Sequence, residues 1–175
     1  MEADANFAQT YRRGRQDFIA ACEKAGADAI SRVHPAMGPD GKPLFCDSVA
    51  FGPRSGTRAL LLIAGPDGAV TVLLQRGIVL PKLVRLVVVH ALDPFAHAWG
   101  RAGAPPDWPR KTLMAIATED LPQCRELVAL DMNASGDGSG GKPALAAALP
   151  KAAILFRNVA PPDAQTLMLA AIAAL

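Results

Sequence analysis

Three predominantly apolar runs divide this chain, at Arg58–Ala64, Leu83–Ala91 and Leu127–Met132. None of them alternates with polar residues, and strands of this kind are covered on both faces, as in the sheets of α/β proteins. The first run stops abruptly at Gly65-Pro-Asp-Gly68. Open α/β sheets place their sites at the carboxyl ends of such strands. The pattern therefore predicts an α/β fold with its candidate site at these three ends.

The remaining pattern supplies the helices that a parallel sheet needs. The predicted elements are an amphipathic helix with an Asn6 cap and a stop at Gly26, a strand at Leu44–Phe51, a helix at Lys111–Leu121, a short Ala/Leu helix, a strand at Ala152–Phe156 and a last helix from about Pro162 to Leu175. Strands separated by helices predict a mostly parallel sheet with helices on both faces. The length of 175 residues fits a single domain over 1–175.

One segment, Ala69–Leu80, has two interpretations. Pro66-Asp-Gly68 lies between two apolar runs, which is typical of a β-hairpin. A helix that begins directly after a strand and a turn fits the same residues. Periodicity does not separate these structures in so short an apolar run.

Composition excludes several classes of function. Hydrophobic residues make up 51% of the chain and its mean hydropathy is +0.21, yet no apolar run reaches the roughly 18–20 residues of a membrane span. The net charge of +2 forms no basic stripe, so no nucleic acid is expected as a partner. The N-terminus lacks the apolar segment of a signal peptide. Three widely spaced cysteines, Cys22, Cys46 and Cys124, indicate reduced thiols and a cytoplasmic location.

Several short stretches occur together in one order. They are Tyr11-Arg-Arg-Gly-Arg-Gln-Asp-Phe18, Gly38-Pro-Asp-Gly41, the strand into Gly65-Pro-Asp-Gly68, Val89-His-Ala-Leu-Asp-Pro-Phe95, Asp107-Trp-Pro-Arg-Lys-Thr-Leu113, and Leu130-Asp-Met-Asn133 before a Gly-rich loop. This set resembles an uncharacterised bacterial branch of the zinc-carboxypeptidase-like superfamily, related to succinylglutamate desuccinylase and aspartoacylase. The resemblance covers most of residues 7–142 and implies a truncated zinc-carboxypeptidase-like fold.

The same resemblance argues against the family's reaction. The zinc ligands of the family fall on Asp67, Val70 and Asn133. Valine has no donor atom, and the neutral amide of asparagine is a poor zinc ligand. The segment that holds the substrate carboxylate is missing after Arg101, and no acidic residue matches the general base. The resemblance thus implies a catalytically inactive binding or accessory subunit without metal or cofactor.

The missing segment also bears on partners. Its loss should uncover sheet edges and apolar surface, which proteins usually hide by association. We therefore expect a homo-oligomer or a protein partner. The sequence does not identify a small-molecule ligand.

An enzyme that reuses the old pocket is the alternative hypothesis. Asp67, Asp93 and Asp131 follow the three buried strands, and neighbouring strands would bring these carboxylates together around a hard cation such as magnesium. With His90 and Arg101 they would form a hydrolase site with a different metal or none. The simpler interpretation is that Asp67 caps a helix and that Asp93 and Asp131 bond backbone amides.

A third hypothesis is nucleotide binding at Gly136–Lys142. These residues match the Gly-x-x-x-x-Gly-Lys part of a phosphate-binding loop. Pro143 stands where the magnesium-binding Ser or Thr belongs, and it removes one backbone donor. Ser135 and Ser139 lack the surroundings of a nucleophile, so we nominate no catalytic residue.

Overall fold

The computed structural model describes residues 2–38, 41–64, 69–90, 107–132, 141–159 and 161–174. The helices and strands in these ranges are α1 (Glu2–Lys24), β1 (Ile30–Met37), β2 (Pro43–Phe51), β3 (Arg58–Ala64), α2 (Ala69–Arg76), β4 (Val84–His90), α3 (Trp108–Asp120), β5 (Glu126–Asp131), α4 (Gly141–Ala148), β6 (Ala153–Asn158) and α5 (Pro161–Ala174). The segment left open by the sequence is thus helical at α2.

The strands form one six-stranded sheet in the order β1-β2-β4-β3-β5-β6. From β4 to β6 all neighbours are parallel, whereas β1 and β2 pair antiparallel with each other and β2 pairs antiparallel with β4. Because β3 lies between β4 and β5, the three apolar runs are neighbours. The prediction of an α/β fold with a mostly parallel sheet is confirmed.

Two apolar layers cover the sheet. Even-numbered residues of β3 and β4, such as Leu62 and Val88, pack with residues of α1, α2 and α5 on what we call the first face. Odd-numbered residues, such as Leu61 and Val87, pack with α3 and α4 on the second face. The prediction of helices on both faces is therefore confirmed, and the continuous apolar character of the runs follows from burial on both sides.

Two details of the N-terminal part differ from the sequence prediction. The helix α1 begins at Glu2 and not at Asn6, although it ends as predicted beside Gly26, which has a φ of +93°. The backbone amide of Gly26 donates to the Glu23 carbonyl at 3.0 Å and that of Ala27 to the Cys22 carbonyl at 3.1 Å, which closes the last turn. The strand β1 was not predicted.

A buried arginine joins the amino end of β4 to its neighbours. The Nε of Arg85 donates to the Asp120 carbonyl at 2.9 Å, and its Nη1 donates to the Gly52 carbonyl at 2.6 Å. Arg85 therefore fixes the last turn of α3 and the residue after β2 to the same point of the sheet.

Candidate functional site

The six predicted pocket residues are only partly within the described chain. His90 ends β4 and Asp131 ends β5, at the carboxyl edge of the parallel strands. Asp67, Asp93, Arg101 and Asn133 lie outside the described residues. The approach of these four residues to His90 or to Asp131 therefore stays a prediction.

The structure does not bring His90 and Asp131 together. The strand β3 lies between them, with Ala64 beside His90 and Ile63 beside Asp131. Consecutive residues of a strand point to opposite faces, and register partners share a face. The side chain of His90 therefore lies on the first face and that of Asp131 on the second. A site that uses both needs a ligand that passes over the end of β3.

His90 is the described candidate with the most unusual surroundings. Its side chain is 1% exposed, and neither ring nitrogen has a hydrogen-bond partner among the described residues. The ring stacks on Phe18 of α1 with centroids 4.7 Å apart. Burial lowers the pKa of His90 to about 4; the nearby carboxylate of Asp47 raises the pKa and Arg15 lowers it. The imidazole is thus a neutral group that could exchange a proton if a ligand reached it.

A buried ion pair lies next to this histidine. Asp47 of β2 is the register partner of His90 and is fully buried. The Nε of Arg15 donates to its Oδ2 at 2.8 Å, and Nη2 donates to its Oδ1 at 3.1 Å. The Ser31 hydroxyl donates to Oδ1 at 2.5 Å. We call these three residues the Asp47 network. Its charge is balanced within the fold, so it ties α1, β1 and β2 together.

Sequence reasoning did not identify the Asp47 network. The sequence does contain one indication of this network, because Asp47 is the charged residue inside the otherwise apolar and weakly polar strand Leu44–Phe51. A buried carboxylate requires a cationic partner. Arg15 lies on the face of α1 that carries Phe18, but nothing in the sequence says which arginine of this helix approaches the strand.

Replacing His90 by leucine should remove an acid-sensitive element of the fold. The folded-state pKa of about 4 is below the ordinary value of 6.5, so the unfolded chain binds more protons between these pH values. Stability contributed by the neutral ring is complete above about pH 6.5 and falls as the pH approaches 4, by about 3 kcal/mol in total. Urea unfolding from pH 7 to 4 should show this loss in the wild type and a flatter profile in His90→Leu. Parallel profiles would contradict the assignment.

The cysteines are not available as nucleophiles. Cys22, Cys46 and Cys124 are all buried. Burial raises the pKa of Cys22 and of Cys46 to about 12, and it raises the pKa of Cys124 as well. A thiol attacks as its thiolate. These three thiols are therefore unreactive at neutral pH in the folded chain.

The structure describes the position at which the resembled family has a zinc-binding glutamate. It is Val70, in the first turn of α2, and its side chain is 1% exposed in the apolar layer of the first face. No group of three or more His, Cys, Asp or Glu in the described ranges is arranged to hold a metal ion. The surroundings of Val70 are those of a core residue.

The Gly-rich segment is described only at Gly141 and Lys142. Gly141 begins α4, and a Cβ atom there would lie 2.6 Å from the ring of Phe156. Glycine lets the start of α4 approach this ring closely, since no side chain intervenes. This packing accounts for Gly141 without a bound phosphate, and nucleotide binding remains an untested hypothesis.

The chain resembles several solved structures at low sequence identity. A Zn-dependent exopeptidase from Parabacteroides distasonis is 14% identical, with a TM-score of 0.41 over 69% of this chain and 52% of that one. The glutaminyl cyclase of Tannerella forsythia is 13% identical, with a TM-score of 0.40 over 69% and 53%. That of Porphyromonas gingivalis is 15% identical, with a TM-score of 0.39 over 91% and 71%. The chain thus spans about half the length of the first two.

Comparison with curated proteins gives no significant match. In the described part of the chain, no helix is both long and apolar enough to cross a membrane. A family model described as "Protein of unknown function (DUF2817)" matches residues 7–105, which is more than half of the chain. The chain therefore belongs to the DUF2817 family.

Proposed function

We propose that this chain is a catalytically inactive carboxypeptidase- or desuccinylase-like protein that acts as a binding or accessory subunit. The observation that carries the proposal is the buried valine at position 70. Where the resemblance calls for a carboxylate ligand, the chain has an apolar side chain inside a packed layer. A glutamate there would have to be buried among aliphatic groups, so the residue serves the core and not a metal.

The other reactive groups of the described residues support the same proposal. The three thiols are buried with raised pKa values, and the carboxylate of Asp47 is neutralised by Arg15. Catalytic groups need access to a substrate and a pKa near the working pH. Structural roles in the core account for each of these side chains.

Metal analysis of the purified, untagged protein tests the proposal. Cells grown with added zinc, magnesium and manganese should yield protein with far less than one metal ion per chain. The same protein, with zinc added, should not hydrolyse N-acyl amino acids or peptides. Near-stoichiometric metal together with hydrolysis that a chelator abolishes would overturn the proposal.

A second candidate, a hydrolase that reuses the degenerate pocket, is favoured by the unpartnered nitrogens of His90. Buried polar atoms without partners are rare and call for an explanation, of which a catalytic role is one. If this candidate is correct, an activity on ester or amide substrates will be found that His90→Leu abolishes while the circular dichroism spectrum stays native. An activity unchanged in His90→Leu would remove this candidate.

A further inference from the structure

The strand β6 forms an edge of the sheet with unusual apolar exposure. Among the described residues no strand pairs with its outer side. Leu155 at its centre is 49% exposed, and Leu167 of the adjacent α5 is 36% exposed. An open groove of about 570 Å³ runs between β5, β6 and α5 and is lined on its floor by Val128 and Leu130. After Asp163, α5 contains no charged residue. Such an edge is a template for another strand.

We propose that β6 is the interface at which a second copy of this chain binds, by antiparallel pairing across a two-fold axis with Leu155 opposite the partner's Leu155. A two-fold axis perpendicular to the sheet keeps the first face of both copies on one side. Two residues that oppose each other across the interface must then point to the same face of the joined sheet. Leu155 and the partner's Leu155 meet this condition. The two grooves would join, and each exposed Leu155 would be covered by the other.

Charge complementarity selects this register. Ile154 then opposes the partner's Phe156, and Arg157 opposes the partner's Ala153. Within one copy, Ala153 is the register partner of Glu126 on β5. Arg157 therefore faces the partner's Glu126 across a small alanine, at two strand spacings or roughly 10 Å between Cα atoms, which the two side chains together can span. Within its own chain Glu126 already accepts a hydrogen bond at 3.1 Å from Arg58 Nε, so its exposed carboxylate would lie between two guanidinium groups. The symmetry makes this ion pair twice.

The neighbouring registers are less favourable. Sliding the copies so that Ala153 opposes the partner's Leu155 places Arg157 beyond the end of the partner's β6, beside the turn that carries Lys151, so two like charges approach each other. The slide in the other direction places Arg157 beside the partner's Leu155 and removes the ion pair with Glu126. The register centred on Leu155 thus joins apolar residues at the axis and opposite charges beside it.

The other edge of the sheet is protected, although it is also apolar. β1 exposes Ile30, Val33 and Met37. It also contains Pro35, which has no backbone donor, and its register with β2 is irregular between Val33 and Met37. Proline and irregular pairing are the devices by which proteins block edge pairing. β6 has neither, so the two copies are expected to meet at β6.

Sedimentation equilibrium of the full chain tests the interface, which does not depend on whether the protein is catalytic. We expect a dimer at micromolar concentration for the wild type and a monomer for Leu155→Arg. Val33→Arg, a matched change at an exposed residue of the opposite edge, should leave the dimer intact. A monomeric wild type, or a dimer that survives Leu155→Arg, would overturn the proposal.

Charge reversal tests the ion pair. In an Arg58→Met background, which removes the cation that bonds Glu126 within one chain, Arg157→Glu and Glu126→Arg should each weaken dimerisation by about tenfold, because like charges would then meet at the interface. The double variant restores opposite charges and should return most of the affinity. Independent, additive losses in the double variant would contradict the pairing of these two residues.

Disulfide formation tests the register. Leu155→Cys should cross-link to its own copy on mild oxidation, since side chains directly opposite each other have Cβ atoms about 5 Å apart. Ala153→Cys should not form this cross-link, because the two cysteines at position 153 would be offset by four residues along the strands, or roughly 13 Å. The native thiols are buried and do not compete. Cross-linking at 153 and not at 155 would overturn the register.

Discussion

Replacing Gly52 with alanine should leave little or no stably folded protein, with a loss of more than about 4 kcal/mol in the free energy of unfolding. Gly52 has a φ of +84°, and an added Cβ would lie 2.2 Å from the Val84 carbonyl oxygen. The obstructing atom belongs to the backbone of β4, so it cannot turn aside like a side chain. The Gly52 carbonyl also accepts the 2.6 Å hydrogen bond from Arg85, which opposes any shift.

Gly77→Ala is the matched control for this prediction. Gly77 has nearly the same φ, +86°, but nothing lies within 4 Å of an added Cβ. Gly77→Ala should therefore lower the free energy of unfolding only by the strain of a left-handed backbone, about 1 kcal/mol. Urea unfolding of both variants separates strain from steric overlap. Equal losses would show that the contact with Val84 is relieved at little cost.

Arg15→Met should destabilise the fold by about 3 kcal/mol, the range found when one partner of a buried ion pair is removed. Methionine keeps the apolar stem of the side chain, but it leaves the fully buried Asp47 with the Ser31 hydroxyl as its hydrogen-bond donor. The guanidinium also lies 3.9 Å from the centre of the Phe45 ring, and this contact is lost as well. The midpoint of urea unfolding should fall with an unchanged slope.

A second substitution separates charge from packing in this variant. Arg15→Met combined with Asp47→Asn has no unpaired charge and should recover part of the loss, since the two residues interact directly. Lys111→Met removes an ion pair with Asp107 in which the Lys111 side chain is 70% exposed. This change should shift the midpoint of urea unfolding little. If Arg15→Met behaves like Lys111→Met, the pair with Asp47 contributes no more than a surface pair.

The fold class could be predicted because the central strands are buried on both faces. The runs at β3, β4 and β5 contain so many consecutive apolar residues that their positions follow directly from the sequence, and their bounds agree to within one residue. β1 escaped prediction because it is an edge strand, half exposed, with Pro35 in its interior. Its structure depends on pairing with β2, which no local pattern reports.

The candidate site was less predictable than the fold. Strand ends identified His90 and Asp131 as residues of one sheet edge, but the face of each depends on the register with β3. One residue of difference in register places them on opposite sides. The Asp47 network was missed for a related reason, since its members come from α1, β1 and β2. Contacts between distant segments follow from tertiary packing and not from spacing.

The buried thiols make the two apolar layers separately observable. Cys22 belongs to α1 and packs in the apolar layer of the first face, whereas Cys46 and Cys124 pack in the apolar layer of the second face. An alkylating reagent can modify each sulfur only while the layer above it is open, so modification rates under native conditions report the frequency of opening. The alkylation rate of Cys22 thus reports opening of the first layer, and the rates of Cys46 and Cys124 report opening of the second. Equal rates at the three cysteines would mean that both layers open in one cooperative step.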